Sequence, residues 1–176
     1  MERLKVGDKA PGLAADSVSM GPFKLSASKG KERVFIVFAR YFGCSLCQLD
    51  FKELIEHAKE IQKYAKLVFV TQSVEESAKN YVKGKNATFP IIADPKEPYP
   101  LYKAYGIGDW APEDIPKVLV RVAKAKAQGI QHGAYEGNEK QRPASFIISK
   151  DGTIEYAHYG PLELGEAMEV LRKKQQ

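Results

Sequence analysis

Sulfur and imidazole are scarce in this sequence. Its 176 residues include two cysteines, three histidines, three methionines and one tryptophan. So few cysteines exclude a disulfide scaffold. A closed zinc site needs four ligands, and Cys44 and Cys47 supply half of one. His57, His132 and His158 stand singly, with His57 too far along the chain to join the pair, so no metal is expected. No apolar stretch is long enough to span a bilayer. Met1 to Pro11 carries charges and no apolar signal core, which predicts a cytoplasmic protein without membrane attachment. Acidic excess is also absent: the net charge is +5. The lysines are spread along the chain, with modest clusters at Lys117 to Lys126 and at Lys173 and Lys174. No basic stripe with aromatic platforms appears, so nucleic acid is not an expected partner. What remains is a chain of ordinary apolar and charged content, long enough for a single domain over residues 1–176 with a real core.

The informative stretch runs from Val34 to Asp50. Val34 to Ala39 has the length and the β-branched and aromatic content of a buried strand. A short connection, Arg40 to Gly43, follows. Cys47, Phe51, Leu54, Ala58 and Ile61 then recur at three- and four-residue steps, which predicts one apolar helical face with Cys44 on it, a turn earlier. Both cysteines therefore belong to the first turn of a helix that follows a strand. Free N–H groups and a partial positive charge at that end favour a Cys44 thiolate. Cys44 at the lip would attack, and Cys47, deeper, would resolve what Cys44 forms. Two buried structural cysteines at helical spacing are the alternative reading.

The rest of the chain reads in order. Leu13 to Met20 and Phe23 to Leu25, around Gly21-Pro22, predict an N-terminal hairpin. The cysteine helix should end near Ala65. Leu67 to Thr71 is an apolar β-run, and Ser73 is a candidate N-cap for a helix from Val74 to about Lys83. Phe89 to Ala93 is a short strand, and Leu101 to Tyr105 a short helix. This β-α-β-α-β order implies parallel strands with helices on both faces. Segment 108–142 breaks the rhythm: Pro112 starts a helix with an Ile115, Val118, Leu119, Val122 stripe, and Gly129 to Arg142 is a polar loop with two readings, a cover over the cysteines or a surface excursion with no role. Pro143 to Ser149 is a strand, Asp151-Gly152 a hairpin turn, Thr153 to His158 the returning strand, and Gly165 to Lys174 a closing helix. The expected class is α/β, a mixed and mostly parallel central sheet flanked by helices, with an N-terminal hairpin and a helical insertion.

Several patches together resemble the alkyl hydroperoxide reductase/thiol-specific antioxidant (AhpC/TSA) group, peroxiredoxin-like proteins of the thioredoxin-like superfamily. They are Val6-Gly7-Asp8-Lys9-Ala10-Pro11, Phe35 to Cys47, Asp94-Pro95 with Leu101 to Gly106, and Phe146 to Gly152. Their order around Cys44-Ser45-Leu46-Cys47 carries the likeness, which points to the C-x-x-C subgroup and a thioredoxin-like fold. Two departures stand out. Where typical peroxiredoxins carry Pro-x-x-x-Thr-x-x-Cys, this chain has Val37 and Tyr41, so a phenol stands in for the hydroxyl that orients peroxide. Thioredoxins have Trp before the first cysteine and a buried acid on the preceding strand; here Gly43 precedes Cys44, and Val34 to Ala39 holds no acid.

The resemblance implies site residues and partners. Cys44, Cys47, Arg40 and Pro143 are the implied catalytic set, with Tyr41, Gly43, Ser45 and Arg142 lining the substrate side. Pro143 matches the cis-proline that packs against the first cysteine and presents backbone to substrate. Arg40 and Arg142 are the candidate cations for the thiolate, Arg40 being favoured because the turn holds it near Cys44. Trp110, Tyr99, Tyr102 and Tyr105 read as packing residues, and His57 and His158 as non-catalytic. One expectation is reduction of hydroperoxides through Cys44, with Cys47 resolving. The alternative is thiol–disulfide exchange on protein or small-molecule disulfides. A redox-sensing interaction module is the non-enzymatic reading. The enzyme readings require no cofactor, use a dithiol donor such as a thioredoxin, and admit a homodimer.

Overall fold

The computed structural model describes residues 1–173. Lys174, the last residue of the expected closing helix, lies outside the described residues. The chain forms β1 (Ala14–Asp16), β2 (Pro22–Lys24), β3 (Val34–Phe38), α1 (Ser45–Gln62), β4 (Lys66–Thr71), α2 (Glu75–Val82) and β5 (Ile91–Ala93). Then come α3 (Pro100–Ala104), α4 (Ile115–Ala127), β6 (Ala144–Ile148), β7 (Ile154–Tyr159) and α5 (Leu164–Lys173), with short 3-10 turns at Leu25–Ser28 and Pro112–Asp114. β1 and β2 make the expected antiparallel hairpin.

The other strands form one five-stranded sheet in the order β5-β4-β3-β6-β7. β3 is central. It pairs parallel to β4, from Val34 opposite Lys66 to Phe38 opposite Val70. On its other edge it pairs antiparallel to β6, from Val34 opposite Ile148 to Phe38 opposite Ala144. β5 joins β4 in parallel, and β7 joins β6 antiparallel. The sheet is therefore evenly mixed, where a mostly parallel one was expected. The reason is that β6 inserts directly beside β3, which makes two of the four strand pairings antiparallel.

Every side chain of β3 is buried, because a central strand is covered on both faces. Phe35 and Val37 point into one core layer with Leu54, Ala58 and Ile61 of α1 and Leu171 of α5. Ile36 and Phe38 point into the other, with Phe146, Tyr102 and Tyr105. This two-residue alternation makes one apolar run serve two layers. Phe42, Phe51, Phe69 and Tyr81 stack beside the N-terminus of α1 and hold the β3–α1 turn against the sheet.

Some local expectations change. Ser73 does not cap α2; Val74 occupies that position. The Ser73 hydroxyl instead accepts the Phe42 N–H at 2.9 Å, because the β3–α1 turn leaves that donor without a helical partner. In α4, Ile115, Leu119 and Val122 of the apolar stripe face solvent. The helix packs on α1 through its other side, where Val118 meets the core, Ala125 is buried and Arg121 pairs with acids of α1.

The end of β3 is tied down by a side chain of α3. Tyr102 is buried and donates its hydroxyl to the Ala39 carbonyl, with the Val70 carbonyl 3.3 Å away. Tyr102→Phe leaves the Ala39 carbonyl without that donor, one residue before Arg40. Such a loss costs about 1–3 kcal/mol. Urea unfolding should therefore show Tyr102→Phe destabilised within that range, and a change under about 0.5 kcal/mol would contradict this role.

Candidate active site

Cys44 and Cys47 meet where β3 ends and α1 begins. Cys44 is the N-cap residue of α1, one position before the helix, and Cys47 is the third helical residue. The pair is thus one turn apart, within the reach a disulfide needs, and both thiols are free. Both are also buried, Cys44 being 3% exposed and Cys47 2%. The expectation that Cys44 sits at an open lip is corrected: its sulfur is covered.

The backbone before the helix is held from β4. The Arg40 carbonyl accepts the Gln72 N–H at 2.6 Å and the Thr71 hydroxyl at 3.0 Å. The Arg40 N–H points the other way and donates to Cys47 Sγ at 3.3 Å. From the same residue, Arg40 Nη1 lies 3.8 Å from Cys44 Sγ. One residue therefore contacts both sulfurs, one through its backbone and one through its charge. Arg40 also stacks over the Tyr41 ring, and its Nη2 pairs with Glu139 at 2.8 Å.

These contacts split the two thiols. The Cys47 thiol, donating toward Cys44, lowers the Cys44 pKa to about 6 against the opposing effect of burial; Arg40 and the N–H groups of Cys47 and Leu46 add to the lowering. Cys47 moves the other way. Burial pushes its thiol well above the usual range, and the neighbouring Cys44 and Asp50 charges push it further. Arg40 is itself half-buried, which works against its charge, but Cys44, Cys47, Tyr41 and Glu139 outweigh that and raise its pKa.

A strap covers the turn. Residues 130–139 cross over it in irregular backbone. The Gly133 N–H donates to the Gly43 carbonyl at 2.8 Å. Gln48 of α1 reaches the Gln131 carbonyl at 3.0 Å and the Gly43 carbonyl at 3.3 Å. His132 Nδ1 faces the Gly133 carbonyl at 2.7 Å, which makes Nδ1 the protonated nitrogen, so Nε2 accepts the Tyr41 hydroxyl at 3.2 Å. Tyr135 stacks on His132. Farther along, Gln72 accepts the Asn138 N–H and donates to Gln141. A Cβ on Gly43 would overlap the Ala134 carbonyl, so this crossing requires glycine.

The residues singled out from the sequence thus separate. Arg40, Tyr41, Gly43, Ser45 and the two cysteines share the turn. Tyr41 is buried and spends its donor on His132; Ser45 is half-buried at the first helical position. Arg142 lies elsewhere: buried, it pairs with Asp114 at 2.7 Å and Glu113 at 3.4 Å and fastens β6 to the start of α4. The cis-proline expectation is overturned. The bond into Pro143 is trans, and the cis bond among the described residues is Glu97–Pro98. The Arg142 N–H is held by the Gly108 carbonyl and the Pro143 carbonyl receives the Gly160 N–H at 2.8 Å, so the chain enters β6 extended.

Sequence reasoning missed Glu139, His132, Gln48 and the Asp50–Arg121 pair. Asp50 was signalled only by its spacing, three residues after Cys47 on the same helix. Among the described residues no group of three or more His, Cys, Asp or Glu side chains is arranged to hold a metal, and no helix is long and apolar enough to cross a membrane.

A central mixed sheet with a cysteine pair at the N-terminus of the helix after its middle strand defines a thioredoxin-like thiol redox protein. The family model of the AhpC/TSA family matches residues 6–157, and the chain belongs to that family. No curated protein matches the sequence. Among solved structures it is similar to the peroxidoxin BcpB from Mycobacterium tuberculosis, at 14% identity and TM-score 0.67, covering 99% of this chain and 100% of that one. A putative thiol:disulfide interchange protein DsbE from Chlorobium tepidum matches at 22% identity and TM-score 0.64, covering 97% and 96%. A peroxiredoxin-like protein from Aquifex aeolicus matches at 16% identity and TM-score 0.66, covering 98% and 89%. At these identities the likeness establishes the fold.

Two outcomes are expected of the thiols. Alkylation of Cys44 by iodoacetamide should rise with pH through a midpoint near the value of about 6 set by its surroundings, ahead of Cys47, and Arg40→Gln should move that midpoint upward. Mass spectrometry after timed quenching reads both; faster labelling of Cys47 would reverse the assignment. Gly43→Ala must displace the strap, so it should raise the alkylation rate at saturating pH. An unchanged rate would mean that the strap does not limit access.

Proposed function

We propose that this protein is a thiol peroxidase that reduces small hydroperoxides through Cys44, with Cys47 as the resolving cysteine. The observation that carries this reading is an enclosed thiolate: Cys44 favours its ionised form beside the Cys47 thiol and Arg40, yet it is only 3% exposed, and the strap crosses its neighbour Gly43. A small hydroperoxide needs little room. A protein disulfide needs in-line access for a third sulfur and the chain attached to it.

The chemistry follows from the placement. The Cys44 thiolate attacks the distal oxygen of the hydroperoxide, the O–O bond breaks, and the alkoxide leaves with a proton as the alcohol. Arg40 stands where charge moves from sulfur to oxygen and favours that transfer. The Cys44 sulfenic acid then condenses with the Cys47 thiol, forming the disulfide and releasing water. A dithiol donor such as a thioredoxin returns the pair to thiols in a reducing compartment such as the cytoplasm.

Thiol–disulfide exchange is the second reading. The C-x-x-C spacing favours it, and so does the fold shared with the thiol:disulfide interchange protein DsbE from Chlorobium tepidum. Against it, Pro143 is trans and its carbonyl is committed to Gly160, so the backbone that would dock a disulfide-bearing chain is already paired.

Peroxide consumption and insulin-disulfide reduction measured side by side on the purified protein separate the two. We expect the first and little of the second. In Cys47→Ser, hydroperoxide should leave a sulfenic acid on Cys44 that dimedone traps and that overoxidises on longer exposure. Insulin reduction without peroxide consumption would favour exchange, and Cys44→Ser retaining turnover would refute both readings.

A further inference from the structure

The second chemical step sets a problem that the cysteines cannot solve alone. Cys47 must lose a proton as it attacks, yet its sulfur is buried and its environment opposes the thiolate. Arg40, whose backbone N–H donates to Cys47 Sγ, carries a guanidinium that cannot accept a proton. Tyr102 and Tyr81 are held protonated by burial. The histidines are unsuited as well: His132 binds Tyr41 in the strap, His57 is on an exposed face of α1, and His158 bonds the Pro161 carbonyl.

We propose that Asp50 is the proton acceptor for Cys47 during disulfide closure, and that Arg121 of α4 is the positioning residue that holds Asp50 ionised for that task. This rests on Cys47 acting as the resolving thiol, in either reading above. Asp50 follows Cys47 by three helical positions, which places the two Cβ atoms about 5–6 Å apart on one side of α1. Its side chain is 3% exposed. Its ion-pair partner comes from a different element: Arg121 reaches down from α4, binding Asp50 and also Glu53 at 2.9 and 3.0 Å. Lys124 takes the other side of Glu53 at 2.8 Å. The charged groups facing Asp50 are thus Arg121 from α4, Glu53 from its own helix, and the cysteine pair.

The balance of these groups suits a base working near neutrality. Burial raises the Asp50 pKa to about 7, while Arg121 opposes it and keeps the carboxylate accessible; Glu53 and Cys44 push with burial. A carboxyl near that value takes a proton from a thiol and returns it within a turnover. In the closing step Cys47 Sγ bonds to Cys44 Sγ and its proton passes to Asp50, directly or through a water. The group leaving Cys44 departs protonated, taking up that proton or one from solvent. The segment that breaks the βα rhythm therefore supplies more than a cover, because α4 brings the cation on which the base depends.

The test needs no peroxide. Methyl methanethiosulfonate caps Cys44 as a methyl disulfide, and Cys47 then closes the protein disulfide and expels methanethiol; loss of the adduct is read by mass spectrometry. Asp50→Asn should be capped at a rate within about threefold of the parent and should close at least about tenfold more slowly, as general-base loss requires. In the parent, closure should rise with pH through a midpoint at or below about 7, because capping removes the Cys44 charge that adds to the rise. That limb should vanish in Asp50→Asn. Arg121→Gln should shift it to higher pH, because the carboxylate loses its cation, and Arg121→Lys should restore it. Closure at the parental rate in Asp50→Asn, or survival of the limb, overturns the proposal. If Asp50→Asn does not fold, the Arg121→Gln and Arg121→Lys pair decides it: equal profiles in both overturn it. If the parent closes as expected yet consumes no hydroperoxide, the peroxidase reading falls while this one stands.

Discussion

The site depends on the placement of Arg40. Its residue occupies the turn between the central strand and α1, where the backbone N–H faces one sulfur and the guanidinium faces the other. A charge beside a thiolate in a largely buried site is screened far less than one at the surface. Burial alone would hold both thiols protonated. The Cys47 thiol, together with the guanidinium and the free N–H groups of the helix, reverses that for Cys44 and leaves Cys47 as the reserve thiol. The difference between two identical side chains is thus one of position relative to a cation and a helix end.

The same guanidinium is shared. Glu139 takes Nη2, so the strap and the thiolate draw on one charge. The strap is fastened along its length to polar groups of the turn and of β4's end: the Gly43 carbonyl, the Tyr41 hydroxyl and the Gln72 amide. Crossing the turn therefore satisfies polar atoms beside a buried cysteine. The energetic cost appears at Gly43 and Gly133, where two backbones approach too closely for side chains on Gly43.

Much of the fold was legible in the sequence. The six-residue apolar run ending at Ala39 has the length and β-branched content of a doubly covered strand, and the Cys47, Phe51, Leu54, Ala58, Ile61 spacing is that of one helical face packed against it. Helical periodicity reports which face meets the core, and an unbroken apolar run of strand length reports cover on both faces. The same reasoning failed where local signals were equivocal. Ser73 has the chemistry of a cap, but a nearer unpaired N–H at Phe42 claimed its hydroxyl. The α4 stripe had helical spacing, yet Ile115, Leu119 and Val122 face solvent, because the Arg121 pairing with Asp50 and Glu53 sets which side of the helix packs.

By itself the sequence determined the strand–turn–helix unit, the pairing of Cys44 with Cys47 at a helix end, and the nearness of Arg40, because all of these act within about one helical turn of chain, where local geometry is stiff. Tertiary structure decided the rest. It chose Arg40 over Arg142, since Asp114 captures the latter. It made the bond into Pro143 trans, since Gly108 and Gly160 pull that backbone into the sheet. It brought Glu139 and Arg121 to the cysteines from 99 and 71 residues away from Arg40 and Asp50. Pairings at such separations leave no periodic trace in the chain, because they are set by how elements pack and not by how each one forms.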